Sequence, residues 1–251
     1  MNKIKLPQKD IDFMVDAVSR PGADKDRLRS LIQSDDSFRV SAAGDEKLFD
    51  RIMNQSGILR EISPVLFFEV LMRRAAREMR ALPYTLERTS SQKIPVFDGA
   101  DALELMKNED FIYYQVEMLA SFVNAEESPT GRFGLDELIR RGPNAEGPER
   151  FNIHRRIGDI CLLMLGIFPE HLMQDYYYLF TGLQPPILGE ERKSMADYEF
   201  LGQEFYGLAA RESRSGFLHL KEVLRLMAEN FYLAKKPLNF ISENYLSLAC
   251  S

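Results

Sequence analysis

A carboxylate inside an apolar run is the first residue in this chain whose chemistry needs a reason. From Ile157 to Phe168 the sequence is almost wholly apolar, and Asp159 stands within it. A buried carboxylate is costly unless it is paired, hydrogen-bonded or protonated. Arg155 and Arg156 precede it by four and three residues, spacings that bring a guanidinium to the same side of a helix. The ordinary reading is a structural Arg–Asp pair pinning the helix. The sharper one makes Asp159 a catalytic or ligand-binding carboxylate, because perturbed carboxylates gather at sites. Downstream, Tyr198, Gly202 and Tyr206 recur at four-residue spacing and place two phenols around a residue without a side chain. Those hydroxyls either pack in the core with hydrogen-bond partners or join Asp159 and an arginine around a pocket closed over Gly202 and lidded by residues 124–150.

A second group is cationic. Arg73, Arg74, Arg77 and Arg80 follow the apolar stretch VLFFEVLM, with Glu69 one turn before Arg73. Cations in a last turn complement the helix dipole, and a solvated stripe is the ordinary reading. Arg73, Arg77 and Arg80 are otherwise candidates for contact with an anion or an acidic partner. Nucleic acid is the least favoured ligand, since Lys+Arg number 32 against 38 Asp+Glu, a net charge of −6.

Other chemistry lacks its signature. None of His154, His171 and His219 has a glutamate three residues before it, so the Glu-x-x-His pattern of di-iron bundles is missing. Glycine-rich phosphate cradles and the G-x-S-x-G elbow are also missing. Neither a metal nor a cofactor is expected. Cys161 reads as a small buried hydrophobe.

The elements that would position these residues are helical. Short amphipathic patterns at 8–18, 23–33 and 45–53 open the chain as a flank over residues 1–60. Ser63-Pro64 signals a helix start, running to Met79 or Arg80. Tyr84 to Arg88 and Lys93 to Phe97 predict a small β-hairpin, with Pro95 confining its second strand to an edge. Asp98 is a candidate cap for a helix to Leu105, and a further helix covers Glu109 to Phe122. Between 124 and 150 glycine and proline accumulate, which predicts a long loop holding a short helix from Leu135 to Arg140. The apolar stretch from Ile157 then forms a core helix, broken at Phe168 and followed by another helix into Asp175 and Tyr176 to Tyr178. After a break at 181–194, two long helical patterns follow, the second carrying Phe217 to Phe231, and Pro237 opens a last helix.

The expectation is therefore a mostly all-α single domain over residues 1–251, a multi-helix bundle around a central buried helix with one small hairpin. The twelve-residue apolar run falls short of the ~20 residues a membrane span needs, and the N-terminus lacks a secretory pattern. A cytoplasmic location and no membrane contact are expected. The run IGDICLLMLGIFPEHL, the later YEFLGQEFYGLAAR and the segment KIPVFDGADALELM resemble a group of uncharacterised bacterial helical proteins with a GDxxLxxxGxFPE-like motif and a YxxLGxxxY. That resemblance implies a shared fold in which Gly158, Asp159, Gly166, Tyr198, Gly202 and Tyr206 matter, and implies no reaction, cofactor or partner. The favoured function is a non-catalytic interaction or regulatory helical module, with a protein partner or self-association. The alternative is a small-molecule-binding helical protein or enzyme using Arg155, Arg156, Asp159, Tyr198 and Tyr206.

Overall fold

The structure, a computed structural model, describes residues 4–88, 92–123, 134–172, 193–213 and 218–246. It is mostly helical with one two-stranded antiparallel sheet. Helices α1 (Gln8–Val18), α2 (Lys25–Ser34), α3 (Asp36–Ala43) and α4 (Glu46–Asn54) precede the longer α5 (Pro64–Met79). The hairpin β1 (Thr85–Arg88) and β2 (Lys93–Val96) follows, then α6 (Gly99–Met106), α7 (Glu109–Val123) and α8 (Leu135–Arg141). The central α9 (Gly147–Gly166), then α10 (Met195–Glu212), α11 (Leu218–Glu229) and α12 (Phe231–Ile241) complete the set.

Two apolar clusters share α5. Leu66 and Val70, one turn apart, face Met14, Val15, Leu48 and Ile52 of the N-terminal helices. Leu71, Met72 and Ala75 face the larger core built with α7, α9, α10, α11 and α12. This explains why the first half of α5 is apolar on all sides but for Glu69: it is a wedge between two cores. Its start is fixed by Ser63, whose Oγ accepts from Leu66 N at 3.2 Å with Pro64 in the first turn. Buried Asp10 of α1 accepts in turn from the Ser63 hydroxyl and, at 2.8 Å, from its backbone N–H.

The central helices interlock through glycines. A Cβ on Gly158 of α9 would lie 2.6 Å from the Tyr206 ring of α10, and one on Gly166 would lie 2.6 Å from Leu238 of α12. On Gly202 of α10 it would lie 2.2 Å from Phe231 of α12. Each missing side chain is a notch that a large residue of a neighbouring helix fills.

Several boundaries differ from the sequence reading. A further helix, α3, sits between the second and third patterns and is capped by Asp35, which accepts from Phe38 N at 3.1 Å. Its apolar face is too short to show as a period. The short helix expected from Leu135 is present as α8, but the loop expected to reach residue 150 ends earlier, because α9 begins at Gly147 with Pro148 in its first turn, where a missing N–H costs little. Residues 124–133 and 173–192, which include the expected helix through Tyr176 to Tyr178, lie outside the described residues. Pro237 lies inside α12 rather than opening it, the break falling at Asn230. The cost of that proline is borne within a helix whose Leu238 and Phe231 fill two of the three notches.

Candidate functional site

Asp159, 5 % exposed, is held by tyrosines. Its Oδ1 accepts from the hydroxyl of Tyr114 on α7 at 2.6 Å and of Tyr206 on α10 at 2.9 Å. The two rings meet edge to face, centroids 5.9 Å apart. Burial pushes the Asp159 carboxyl above the ordinary aspartate range against the pull of Arg155 and the two hydroxyls. Burial and the neighbouring carboxylate lift both phenols far above their usual range, so neither is a base at neutral pH.

The expected Arg–Asp pair does not form: among the described residues no ion pair joins Asp159 to Arg155 or Arg156. Arg156 instead turns to α7, where Nη1 donates to Ser121 Oγ at 3.2 Å and the guanidinium covers the Phe122 ring at 3.6 Å. Arg155 is sensed by Asp159, Tyr114, Tyr206 and Glu117 through their charges. Tyr198 is half-buried at the margin of the core and is not one of the two phenols on Asp159. A pocket closed over Gly202 is ruled out by Phe231, whose ring occupies that space. Elsewhere on α9, His154 Nδ1 lies 2.9 Å from Glu212 Oε2 and Arg150 lies 2.7 Å from Oε1, tying α9 to the end of α10. Cys161 is fully buried, its thiol pushed up to about 12 by burial.

The arginines of α5 separate. The side chain of Arg73 is 8 % exposed and bidentate on Glu109, at 2.8 and 2.5 Å, with Glu69 at 3.5 Å. It is no part of a solvated stripe and is not open to an external anion. Glu69 is held chiefly by Arg39 Nη1, at 2.6 and 2.5 Å, and Arg39 Nη2 donates to Tyr113 OH at 2.6 Å. Arg74 pairs with Glu78 at 2.5 Å and covers Phe49, while Arg77 and Arg80 are exposed.

A third assembly anchors the hairpin. Two consecutive lysines of α12, Lys235 and Lys236, are 3 % and 2 % exposed. Lys235 Nζ lies 2.7 Å from Glu87 Oε1 and 3.0 Å from Glu199; Lys236 Nζ lies 2.5 Å from Glu87 Oε2 and 3.2 Å from Asp98. Lys236 also donates to Tyr232 OH at 3.0 Å. Asp98 therefore does not cap α6 with its side chain; it accepts from Thr85 Oγ1 at 2.5 Å and faces Lys236. Its Oδ2 sits at ion-pair distance from Lys236 without hydrogen-bond geometry, so attraction there is of charge alone.

Above this anchor lies a groove of about 180 Å³. It is lined by Tyr84 and Leu86 from the hairpin region, by Phe240, Glu243 and Asn244 from the C-terminal helices, and by Met79, Gly99 and Lys236. The register pairs Leu86 with Pro95, and Tyr84 meets Phe97 edge to face at 6.3 Å, so these residues share one hairpin face. Phe97 is 81 % exposed, and Leu82 and Ile94 are also exposed.

Sequence reasoning missed Tyr114, Glu87, Lys235, Lys236 and Arg39. Tyr114 was hidden in an apolar stripe, and the lysine pair between apolar residues of α12 was the one signal that could have been read. No protein-family model, no curated protein and no solved structure matches the chain.

Proposed function

We propose that this chain is a non-catalytic interaction module that receives an apolar side chain of a partner protein in the groove between the hairpin and α12. The observation that carries this reading is a groove lined in part by Tyr84, whose ring meets the exposed ring of Phe97. Drug-sized ligands occupy pockets of ~300–1,000 Å³, whereas ~150 Å³ suffices for a benzene-sized group. A volume of about 180 Å³ suits one aromatic or branched side chain. Buried anchors of that kind carry most of the energy of protein interfaces.

Charge supports the same reading. Lys235, Lys236, Glu87 and Asp98 are engaged with one another beneath the groove, which favours a rigid mount over proton transfer. Arg77 and Arg80 are exposed just before Leu82 and Tyr84, so a partner with carboxylates flanking its anchor residue meets complementary charge.

Affinity enrichment from the native host tests this. Wild type is compared with Phe97→Ser and with Leu59→Ser, an exposed leucine of the N-terminal flank. A protein retained by wild type and Leu59→Ser but lost with Phe97→Ser supports the groove, and an identical set for all three refutes it.

A further inference from the structure

Among the described residues, the cations withdrawn from water come with carboxylates at ion-pair distance, except at Arg155 and Arg156. Arg39 holds Glu69, Arg73 holds Glu109, and Lys235 and Lys236 share Glu87. Arg156 is 6 % exposed and has no carboxylate partner among the described residues. Its Nη1 reaches only the Ser121 hydroxyl, which itself donates to Met118 O at 2.7 Å, and its Nε is buried without any hydrogen-bond partner. One residue earlier, Arg155 Nε is also buried and unpartnered. Asp159 forms no ion pair with Arg156 and spends its Oδ1 on the two phenols, so it acts on the guanidinium through its charge at a distance alone.

An uncompensated guanidinium away from water is destabilising unless something supplies the missing charge. We propose that the seam between α7 and α9 at Arg155 and Arg156 binds a small oxyanion, a carboxylate or phosphate group, that completes the unpaired guanidinium of Arg156. The fork of N–H donors on arginine matches two oxygens of such a group. Stacking on Phe122 and the bond to Ser121 hold the guanidinium plane in place for it. Arg155 is the lesser contributor, since Glu117 and Asp159 already act on it. This site is independent of the hairpin groove.

The test measures the melting temperature and calorimetric binding of the full chain at constant ionic strength, with inorganic phosphate in one arm and succinate in the other. Wild type is expected to show a saturable rise in melting temperature, and the arm that responds names the anion class. Arg156→Met is expected to weaken that binding at least about tenfold. Without any added anion it is expected to be no less stable than wild type, because the uncompensated charge is gone. The proposal falls if neither probe gives a saturable response or if Arg156→Met responds like wild type. It falls equally if Arg156→Met is destabilised or unfolded without anion, which would mean that the charge is already balanced within the chain.

Discussion

Tyr114 and Tyr206, carried by α7 and α10, donate to the same oxygen of Asp159. One carboxylate thus joins three helices at a point where no ion pair helps, and all three groups are withdrawn from water. Tyr206 serves twice, because its ring also fills the notch at Gly158.

Removing one hydroxyl isolates the hydrogen-bond share of this junction. Tyr114→Phe keeps the ring against Tyr206 and deletes only the donor to Asp159. Hydrogen bonds to charged groups contribute ~1.5–3 kcal/mol, and a loss of that size in urea denaturation is expected. A change near zero would mean that Asp159 is protonated and donates elsewhere at neutral pH.

The pH dependence of the same residue has a definite sign. Its folded-state carboxyl is raised above the ordinary value of 3.8, so the folded chain holds the proton more tightly than the unfolded one. Stability from this group is then fully present below 3.8 and is lost as pH rises through the raised value. Melting curves of wild type and Asp159→Asn across acid to neutral pH are expected to shift in favour of the variant as pH rises. A difference constant in pH would refute the raised value.

Glu87 has the opposite sign. Burial alone would raise its carboxyl, but Lys235 and Lys236 outweigh burial and hold it below 4.5. Its stability is present above 4.5 and is lost as pH falls through the depressed value. At neutral pH Glu87→Gln leaves two buried ammoniums short of their shared partner, and breaking a buried pair from one side costs ~3–5 kcal/mol. Glu222→Gln, on an exposed pair with Arg225, is the control at ~0–1 kcal/mol. Faster amide exchange over Thr85–Arg88 and Lys93–Val96 is expected to accompany the loss in Glu87→Gln alone.

Local signals were legible and distant pairings were not. Ser63-Pro64 announced α5, and the two short extended segments at 84–88 and 93–97 announced the hairpin. The apolar run around Asp159 announced α9. The spacing of Tyr198, Gly202 and Tyr206 on α10 put two phenols on one face, yet the partners of Gly202 and Tyr206 come from α9 and α12, which spacing within one helix cannot reveal. Glu87 and Lys236 are far apart in the chain and meet only through tertiary packing. Arg73 and Arg77 share a sequence stripe, but the first lies against α7 and the second against solvent. Periodicity gives the face of a helix and says nothing of where along it burial ends.

Phe97→Ser is expected to separate binding from folding. The side chain is 81 % exposed, so its removal is expected to change stability by no more than ~0.5 kcal/mol. Retention of a partner is expected to fall in the same protein. A large loss of stability in denaturation would show that Phe97 belongs to the fold, and the groove would lose its rim.

Two glycines of α10 are expected to respond to alanine in opposite directions. Alanine improves helix propensity by ~1 kcal/mol over glycine in a helix interior. At Gly207 the new Cβ meets nothing nearer than Arg211 Nη1 at 3.8 Å and Ala228 Cβ at 4.0 Å, so the gain is expected in full. At Gly202 it would lie 2.2 Å from the Phe231 ring, at the first residue of α12. Overpacking costs ~1–3 kcal/mol and occasionally more. Phe231 is fully buried and touches Tyr206, so it cannot yield without disturbing the Asp159 junction. Gly202→Ala should therefore lower the denaturation midpoint while Gly207→Ala raises it. If both raise it, the α10–α12 contact is looser than these distances require, and the interlock of α9, α10 and α12 does not hold Tyr206 in place.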